Sequence, residues 1–473
     1  MKFTSDRFTD NVRRALGDPA LQSALDKAKD GFVAKRSRAV AALPEFEAIR
    51  RDAIAIKDHT LTHLDRYLEQ FEKGVVASGG QVHWAETAAD MARIVTGIAQ
   101  SSGGRKVIKG KSMIGEEVDL NEALQEAGFQ VIETDLGEYI IQLADEPPSH
   151  IIAPAIHKTR QQVAELFRQS HTGLPVAGRR ESIADLVGEA RAVLRSHFIS
   201  ADIGITGGNF LVAETGSVLL VTNEGNGDLT ATLPRVHIVT ASIDKVVPTL
   251  EDATAILRLL GRSASGQEMS VYTTLFTGPR RSADPDGPEE FHVVLLDNGR
   301  TKMLGGEYRE MLRCIKCGAC LNHCPVYTTV GGHAYGWVYS GPMGSVLTPL
   351  LRGLKESGDL PNASTLCGRC EEICPMSIPI PRMLRAHRRE LHRKGYDSQR
   401  QRFALMVWGF VARRPRLYRL LARTQATLLA RLAGRRGRLS RLPLAGAWTF
   451  DRDLPAPQGG SFVSAWRHRE GSS

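Results

Sequence analysis

Short apolar runs alternate with stretches of helical spacing through the middle of the chain, from about residue 80 to residue 265. Helical spacing recurs between the runs, for example at residues 121–128 and 160–168. This alternation predicts an α/β fold with a mostly parallel sheet and helices on its faces. The predicted strands are the apolar runs that start at Lys106, Gln130, His150, Ala201, Ser217, Arg235 and Phe291.

The flanking segments have a different pattern. Residues 1–75 are charged, contain few helix breakers and show helical apolar spacing, so they are predicted to be helical until Gly79 and Gly80. Near the other end, an Arg-rich apolar helix is predicted from Arg402, with a restart at Pro415. From residue 381 to the end there are 21 Lys and Arg against 5 Asp and Glu, a net charge of +16. Since the whole chain carries +9, residues 1–380 carry −7, and the basic character belongs to the C-terminal region.

All seven cysteines lie in two short runs that each end in Cys-Pro. The first run has the spacing C-x2-C-x2-C-x3-C-P, which is the bacterial spacing for [4Fe–4S] clusters, and the second has C-x2-C-x3-C-P. Two iron–sulfur clusters, which transfer single electrons, are therefore predicted. The predicted ligands are Cys314, Cys317, Cys320, Cys324, Cys367, Cys370 and Cys374.

The spacing also divides these ligands between the clusters, because the fourth cysteine of such a run binds the other cluster. Cluster 1 is predicted to bind Cys314, Cys317, Cys320 and Cys374, and cluster 2 to bind Cys324, Cys367 and Cys370. Ser364 stands where a fourth cysteine of cluster 2 would be. The fourth iron of cluster 2 could bind Ser364, a water or a group of a partner, or be missing, which would give [3Fe–4S].

Zinc and disulfides are the competing explanations of the cysteines. Zinc sites usually combine two Cys with two further Cys or His, which fits a double run of seven poorly. Disulfides need an oxidising compartment, and the first ten residues are charged and lack the apolar stretch of a secretory signal. A cytoplasmic location is therefore expected.

Four regions follow from these patterns. They are an N-terminal helical region (1–75), an α/β domain (76–300), a helical two-cluster ferredoxin domain (301–394) and a basic helical C-terminal region (395–473). A helical ferredoxin module is predicted because residues 325–366, between the cysteine runs, are long, rich in Gly and Pro at first, and then helical from Val346.

Several segments outside the cysteine runs carry a resemblance that spans nearly the whole chain. Together with the two runs, they resemble the lactate-utilisation iron–sulfur protein B family. The segments are Lys109-Gly-Lys-Ser-Met, Glu133-Thr-Asp-Leu-Gly-Glu-Tyr-Ile-Ile-Gln-Leu, Pro148-Ser-His-Ile-Ile-Ala-Pro-Ala-Ile-His, Ala213-Glu-Thr-Gly-Ser and Gly331-Gly-His-Ala-Tyr-Gly.

The resemblance implies an α/β LUD domain, similar to the CoA-transferase and ribose-phosphate-isomerase folds. It also implies an electron-transfer subunit of a three-component, NAD-independent system that oxidises L-lactate to pyruvate. The partners would be a cysteine-rich iron–sulfur component and a second LUD-domain protein. The family has seven cluster ligands and no Cys at the position of Ser364. At residues 113–117 this chain has Met-Ile-Gly-Glu-Glu, where the family more often has a Thr before the glutamates.

A ligand pocket in the α/β domain is one interpretation of its polar loops. Lys111 and Ser112, residues 206–209, Glu214 and residues 223–227 could approach an anion or nucleotide at the strand ends. The alternative is structural: Ser112 and Glu116 cap a helix and the glycines make turns. The domain has neither a dinucleotide-binding nor a P-loop fingerprint.

The histidines near the predicted strands, His83, His150, His157 and His237, are expected to be structural, and no catalytic residue is predicted. His323 and His333 flank the clusters and could tune their potentials or be ordinary surface residues. The basic C-terminal region is expected to cover the clusters or meet partner subunits, with peripheral membrane contact as the alternative.

Three functions compete at this level. An electron-transfer subunit is preferred, because the chain has dedicated cluster ligands and no flavin or nicotinamide motif. The second is a self-sufficient iron–sulfur oxidoreductase that binds its substrate in the LUD domain. A nucleic-acid-binding protein is the weakest, because no DNA- or RNA-binding motif accompanies the arginines.

Overall fold

The structure is a computed structural model of the chain, and it describes residues 3–171, 182–442, 446, 449, 452–457 and 461–470. The chain divides into two compact units, Met1–Glu390 and Leu391–Ser473. The first unit contains two sheets and all seven cysteines.

Ten strands among the described residues of the first unit form these sheets. They are β1 (Gln81–Ala85), β2 (Lys106–Lys109), β3 (Gln130–Glu133), β4 (Ile203–Gly207), β5 (Phe210–Val212), β6 (Ser217–Thr222), β7 (Val236–Ser242), β8 (Val246–Val247), β9 (Tyr272–Phe276) and β10 (Glu290–Leu296). The larger sheet has the order β1-β10-β7-β4-β2-β3, and all its neighbouring strands are parallel. The predicted parallel sheet is confirmed, and its interior strand β7 is buried along its whole length.

The smaller sheet has the order β8-β5-β6-β9. Its β5–β6 and β6–β9 pairs are antiparallel and its β5–β8 pair is parallel. Between β4 and β5 only Gly208 and Asn209 intervene, so the carboxyl end of β4 leads directly into this second sheet. Loops from both sheets therefore meet at that edge of the parallel sheet.

Helices precede the first strand and separate most of the later ones. Those of the N-terminal region are α1 (Phe8–Leu16), α2 (Pro19–Ala41), α3 (Phe46–Thr62) and α4 (Leu64–Ala77). Those among the strands are α5 (Ala88–Ser101), α6 (Met113–Glu117), α7 (Leu120–Glu126), α8 (Leu136–Leu143), α9 (Arg160–Ser170), α10 (Ile183–Ile199), α11 (Asn226–Thr232) and α12 (Leu250–Ala264).

The segment after the last strand is helical, as predicted for a helical ferredoxin module. Its helices are α13 (Thr301–Leu304), α14 (Ala319–Asn322), α15 (Tyr327–Val330), α16 (Gly341–Arg352), α17 (Arg369–Glu372) and α18 (Ile380–Lys394). Helix α16 starts earlier than the predicted Val346, because Pro342 lies in its first turn, where a missing N–H is tolerated.

The N-terminal helical region packs against this cysteine-bearing segment. The Thr4 N–H donates to the Gly336 carbonyl at 2.9 Å, and the Asn11 amide donates to the Ala334 carbonyl at 3.2 Å. Phe8 and Phe46 share one buried cluster with residues of the cysteine runs. The first 75 residues therefore help to enclose the cysteines, although more than 200 residues separate them in sequence.

One predicted strand is wrong, and several strands were not predicted. Residues 149–152 form a bend, because the His150 Nδ1 accepts the backbone N–H groups of Ile152 (3.0 Å) and Ala153 (3.1 Å). These bonds fold the chain back on the imidazole, so the segment does not extend into a sheet. The edge strands β1 and β9 are half-exposed and lack the apolar run that marks the buried strands.

The described residues of the second unit form three helices and one short strand pair. They are α19 (Gln399–Ala412), α20 (Pro415–Ala433), α21 (Phe462–Glu470), β11 (Arg438–Leu439) and β12 (Leu454–Pro455). Helix α20 begins at Pro415, as predicted, and α19 has no buried residue. Among the described helices of either unit, none combines the length and apolar character needed to cross a bilayer.

Candidate functional site

The two cysteine runs share one backbone pattern. In the first, Lys316 (φ 57°) precedes Cys317 and Gly318 (φ 72°) follows it. In the second, Leu366 (φ 55°) and Gly368 (φ 85°) flank Cys367 in the same way. Left-handed backbone on both sides of a cysteine is costly for Lys and Leu, so its recurrence indicates that both loops are shaped for the same task.

This equivalence also locates the missing cysteine. Cys314 lies three residues before Cys317, and Ser364 lies three residues before Cys367. The Ser364 hydroxyl accepts the Leu366 N–H at 3.1 Å, so it is engaged by its own loop. The structure therefore gives Ser364 a turn-stabilising contact at the position where the first run has a thiol.

Four cysteines from both runs line one small apolar cavity: Cys314, Cys317, Cys320 and Cys374. Its other walls are mostly Met and Ile side chains. Burial raises the pKa of the Cys317 thiol to about 12 and that of Cys374 to about 11, and a bound metal removes such protons. Four convergent thiols in an apolar cavity fit a four-thiolate iron–sulfur cluster.

The remaining three cysteines interact with one another. Cys324 and Cys370 are buried and Cys367 is exposed, and the three groups influence each other's titration. Burial raises the pKa of Cys370 to about 12, whereas backbone and side-chain hydrogen bonds lower the pKa of Cys367. These three thiols fit a second cluster that lies nearer the protein surface than the first.

The cysteines are not arranged for a single metal ion. Within the described ranges, no group of three or more His, Cys, Asp or Glu side chains is close enough to hold one ion.

Four cationic side chains from elsewhere in the chain surround the first group of cysteines. Arg36 donates to the Ile373 carbonyl at 2.7 Å, and Arg50 donates to the Glu372 carbonyl at 3.2 Å. Lys57 and Lys245 interact electrostatically with Cys314. Positive charge stabilises a thiolate-ligated cluster, which is anionic.

Sequence reasoning missed these four residues. They lie in α2, in α3 and just after β7, far from the cysteine runs. No local motif marks them, and only the packing of the N-terminal helices and the sheet edge brings them to the cysteines.

The histidines near the predicted strands have structural partners. The His237 Nε2 lies 2.8 Å from the Thr206 hydroxyl, and burial lowers the pKa of His237 to about 3. His157 lies between Ser149 and Glu146, and its pKa is lowered by burial to about 4. Burial likewise lowers the pKa of His150 to about 3, so it is a neutral acceptor in its bend.

His83 pairs with His292 at 3.1 Å. The two histidines near the cysteine runs also bind backbone rather than thiols. The His323 Nδ1 lies 2.9 Å from the Ala319 carbonyl, and the His333 Nε2 lies 2.8 Å from the Pro147 carbonyl.

A cavity of about 290 Å³ lies at the carboxyl ends of the parallel strands. Lys111 and Ser112 follow β2, and residues 206–209 end β4, so the predicted loops do converge here. Most of the predicted loop at residues 223–227 also lines it. This is the position at which open parallel sheets usually bind ligands.

Glu214 and Glu116 do not line this cavity and have structural partners. Glu214 accepts the Leu250 N–H at 2.6 Å and Glu116 pairs with the buried Lys109 at 3.0 Å. Ser112 does cap α6 by accepting the Gly115 N–H, but Glu116 does not complete a capping box.

Glu117, the neighbour of Glu116, is buried in an ion pair that joins the sheet to the cysteine-bearing segment. Its carboxylate accepts from Arg300 at 2.7 Å and from the Tyr339 hydroxyl at 2.5 Å. Arg300 also binds Asp244 at 3.0 Å. Burial raises the pKa of Asp244, but Arg300 and the nearby lysines together outweigh burial and lower this pKa to about 2. Tyr339 lies between the cysteine runs, so this network fixes the two parts against each other.

Comparison with protein families identifies both parts of the first unit. Residues 68–296 match the LUD domain, and residues 310–378 match the 4Fe-4S dicluster domain. The predicted LUD fold, the ferredoxin-type region and the iron–sulfur cofactors are thereby confirmed.

Curated relatives match the chain over nearly its full length. It is 42% identical to Lactate utilization protein B of Lysinibacillus sphaericus (strain C3-41), over 99% of this chain and 98% of the relative. It is 40% identical to the protein of the same name from Bacillus subtilis (strain 168), over 100% and 98%. It is also 40% identical to the uncharacterized electron transport protein YkgF of Escherichia coli (strain K12), over 99% and 98%.

A solved structure of a DUF162 family protein from Deinococcus radiodurans matches 50% of this chain and 98% of its own, at 15% identity and a TM-score of 0.26. The full-length relatives carry the assignment. On their identity and coverage, together with the paired LUD and dicluster domains, the chain belongs to the lactate utilization protein B family.

Proposed function

We propose that this chain is the iron–sulfur electron-transfer subunit of an NAD-independent system that oxidises L-lactate to pyruvate, so that lactate serves as a carbon source. The observation that supports this proposal most is that the cysteines form two groups. One group of four lines an apolar cavity and the other group of three lies nearer the surface, in a chain that matches lactate utilization proteins over its full length. The clusters, when bound, supply one-electron transfer.

We assign Cys314, Cys317, Cys320 and Cys374 to cluster 1. Cluster 2 takes Cys324, Cys367 and Cys370, with its fourth iron bound by a group other than Cys or absent. Burial of the first group excludes water and keeps the site apolar. The exposed Cys367 places the second group where a partner's redox centre can approach.

The proposed partners are a cysteine-rich iron–sulfur component and a second LUD-domain protein. The basic C-terminal region offers a docking surface to an acidic partner, and its exposed Phe403 and Trp408 add apolar contact area. Weaker complex formation at high salt is expected, and binding to anionic vesicles in the absence of partners would indicate a membrane role instead.

The test is anaerobic. The chain is purified alone and with its partners, L-lactate is added, and the cluster absorbance and EPR signals are followed. Reduction in the assembled system only is the expected result. Reduction of the chain alone would make it a self-sufficient oxidoreductase, and no reduction in either preparation would refute the lactate role.

A further inference from the structure

The cavity at the sheet edge reaches the first cysteine run. Its walls include Lys111, Lys245 and Thr240 from the LUD domain, and Lys316 and Tyr339 from the cysteine-bearing segment. Lys316 lies between the ligands Cys314 and Cys317 of the proposed cluster 1. A molecule in this cavity would therefore lie beside that cluster.

Three lysines in the cavity wall form no close ion pair with a carboxylate of the described residues. Among the described residues, none has a carboxylate oxygen within 4.0 Å of the ammonium group of Lys111, Lys245 or Lys316. Lys111 donates to the Ile152 carbonyl at 2.7 Å, and the Lys316 ammonium lies 4.2 Å from the centre of the Tyr339 ring. Burial lowers the pKa of both Lys111 and Lys245, because it penalises the charged ammonium form.

The nearby carboxylates do not neutralise the lysines next to the cysteines. Asp244 adjoins Lys245, but its side chain is held by Arg300 at 3.0 Å. Asp135 and Glu224 also line the cavity, and their electrostatic partner is Lys111. The excess positive charge is thus at Lys245 and Lys316, which interact with each other and are adjacent to cluster 1.

Size and hydrogen bonding narrow the class of anion. A cavity of about 290 Å³ is at the lower limit for drug-sized ligands, so it suits a molecule of a few carbons better than a nucleotide. Phosphates usually bind free N–H groups at a helix start, and at α6 one of these groups, the Gly115 N–H, is occupied by the Ser112 hydroxyl. A doubly charged phosphate would also be repelled by Asp135 and Glu224.

We propose that this cavity binds a small organic carboxylate at Lys245 and Lys316, and that the bound carboxylate lowers the reduction potential of cluster 1. Negative charge beside the cluster opposes the addition of an electron. By reciprocity, reduction of cluster 1 weakens carboxylate binding by the same factor. The LUD domain would thereby sense an organic acid and adjust electron flow through the clusters.

The test uses the anaerobic, cluster-loaded full chain, with L-lactate and pyruvate as probes and neutral L-lactamide as the control ligand. Isothermal calorimetry gives the affinity, and potentiometric EPR gives the potential of cluster 1 with and without the acid. Saturable binding of at least one acid is expected, with lactamide at least tenfold weaker. A tenfold preference for the oxidised state corresponds to a potential about 59 mV lower.

Two variants locate the site. Lys245→Met and Lys316→Met should each weaken binding about tenfold or more and abolish the potential shift, while Lys316→Arg should retain both. Lys302→Met, at an exposed lysine that does not line the cavity, should bind like the parent.

No saturable binding, equal binding of lactamide, or unchanged affinity in the two Met variants would overturn the proposal. Because the assay does not require lactate oxidation, it separates the two proposals. Electron transfer without carboxylate binding would remove only this inference, and binding without lactate-dependent reduction would remove only the proposed function.

Discussion

Removal of the Glu117 side chain should destabilise the protein strongly. Its carboxylate is fully buried and accepts from two Arg300 nitrogens (2.9 and 2.7 Å), from Tyr339 (2.5 Å) and from Asn298 (2.8 Å). Glu117→Ala leaves a buried guanidinium with Asp244 as its remaining carboxylate partner and leaves two neutral donors without an acceptor. Loss of one partner of a buried ion pair lowers the free energy of unfolding by about 3–5 kcal/mol.

The assay is thermal unfolding under anaerobic conditions, followed by circular dichroism, with the cluster absorbance recorded separately. A domain the size of residues 68–296 loses about 2–4 °C per kcal/mol, so the midpoint should fall by about 6–20 °C. The matched control is Asp10→Ala, which removes an exposed ion pair with Arg13 (2.9 Å) and should cost less than about 1 kcal/mol.

A double variant tests the physical reason. Glu117→Leu with Arg300→Met removes both charges, so it should be less destabilising than the sum of the two single variants. If Glu117→Ala shifts the midpoint no more than Asp10→Ala, or if the double variant is fully additive, the buried pair does not hold the sheet to the cysteine-bearing segment.

Three further predictions follow from single residues. Cys314→Ser should remove cluster 1 signals and abolish electron transfer while the LUD domain stays folded, and Cys367→Ser should remove only cluster 2 signals; unchanged iron content in either variant would contradict the ligand assignment. Burial lowers the pKa of His237 to about 3, so between pH 6.5 and 3 the unfolded chain binds a proton that the folded chain does not. In His237→Gln the free energy of unfolding should therefore fall less steeply on acidification, by about 1.4 kcal/mol per pH unit in this range. Equal pH slopes of the two proteins in urea unfolding would contradict this. Lys109→Met should lower the free energy of unfolding by about 3–5 kcal/mol in urea unfolding, because it leaves the buried Glu133 without the cation that lies 2.7 Å away. The control is Lys106→Met, at a half-buried lysine of the same strand, which should change the unfolding midpoint much less.

Much of the fold could be predicted from the sequence where the signal is local. The buried strands are apolar runs, and the two cysteine runs have a spacing with few alternative uses. The edge strand β1 was missed because an edge strand need not be apolar. The apolar pattern predicts a strand at the bend of residues 149–152, because the pattern does not show that the His150 imidazole binds two backbone N–H groups.

The surroundings of the cysteines depend on tertiary packing, which single-sequence patterns do not show. Arg36 and Lys57 lie in N-terminal helices whose sequence predicts only helices. Glu116 and Glu117 are adjacent in the short helix α6, yet Glu117 joins the two parts of the unit and Glu116 pairs with Lys109. Neighbouring residues on a short helix face different environments, and the environment of each residue depends on the tertiary packing.

The measurement that tests the central claim most directly is a potentiometric EPR titration of the anaerobically purified full chain, combined with iron analysis. A two-cluster electron carrier should contain about eight iron atoms, or about seven if cluster 2 is [3Fe–4S], and should show two separate one-electron reductions. A chain that binds zinc in place of iron, or that shows no reversible reduction, would contradict the account.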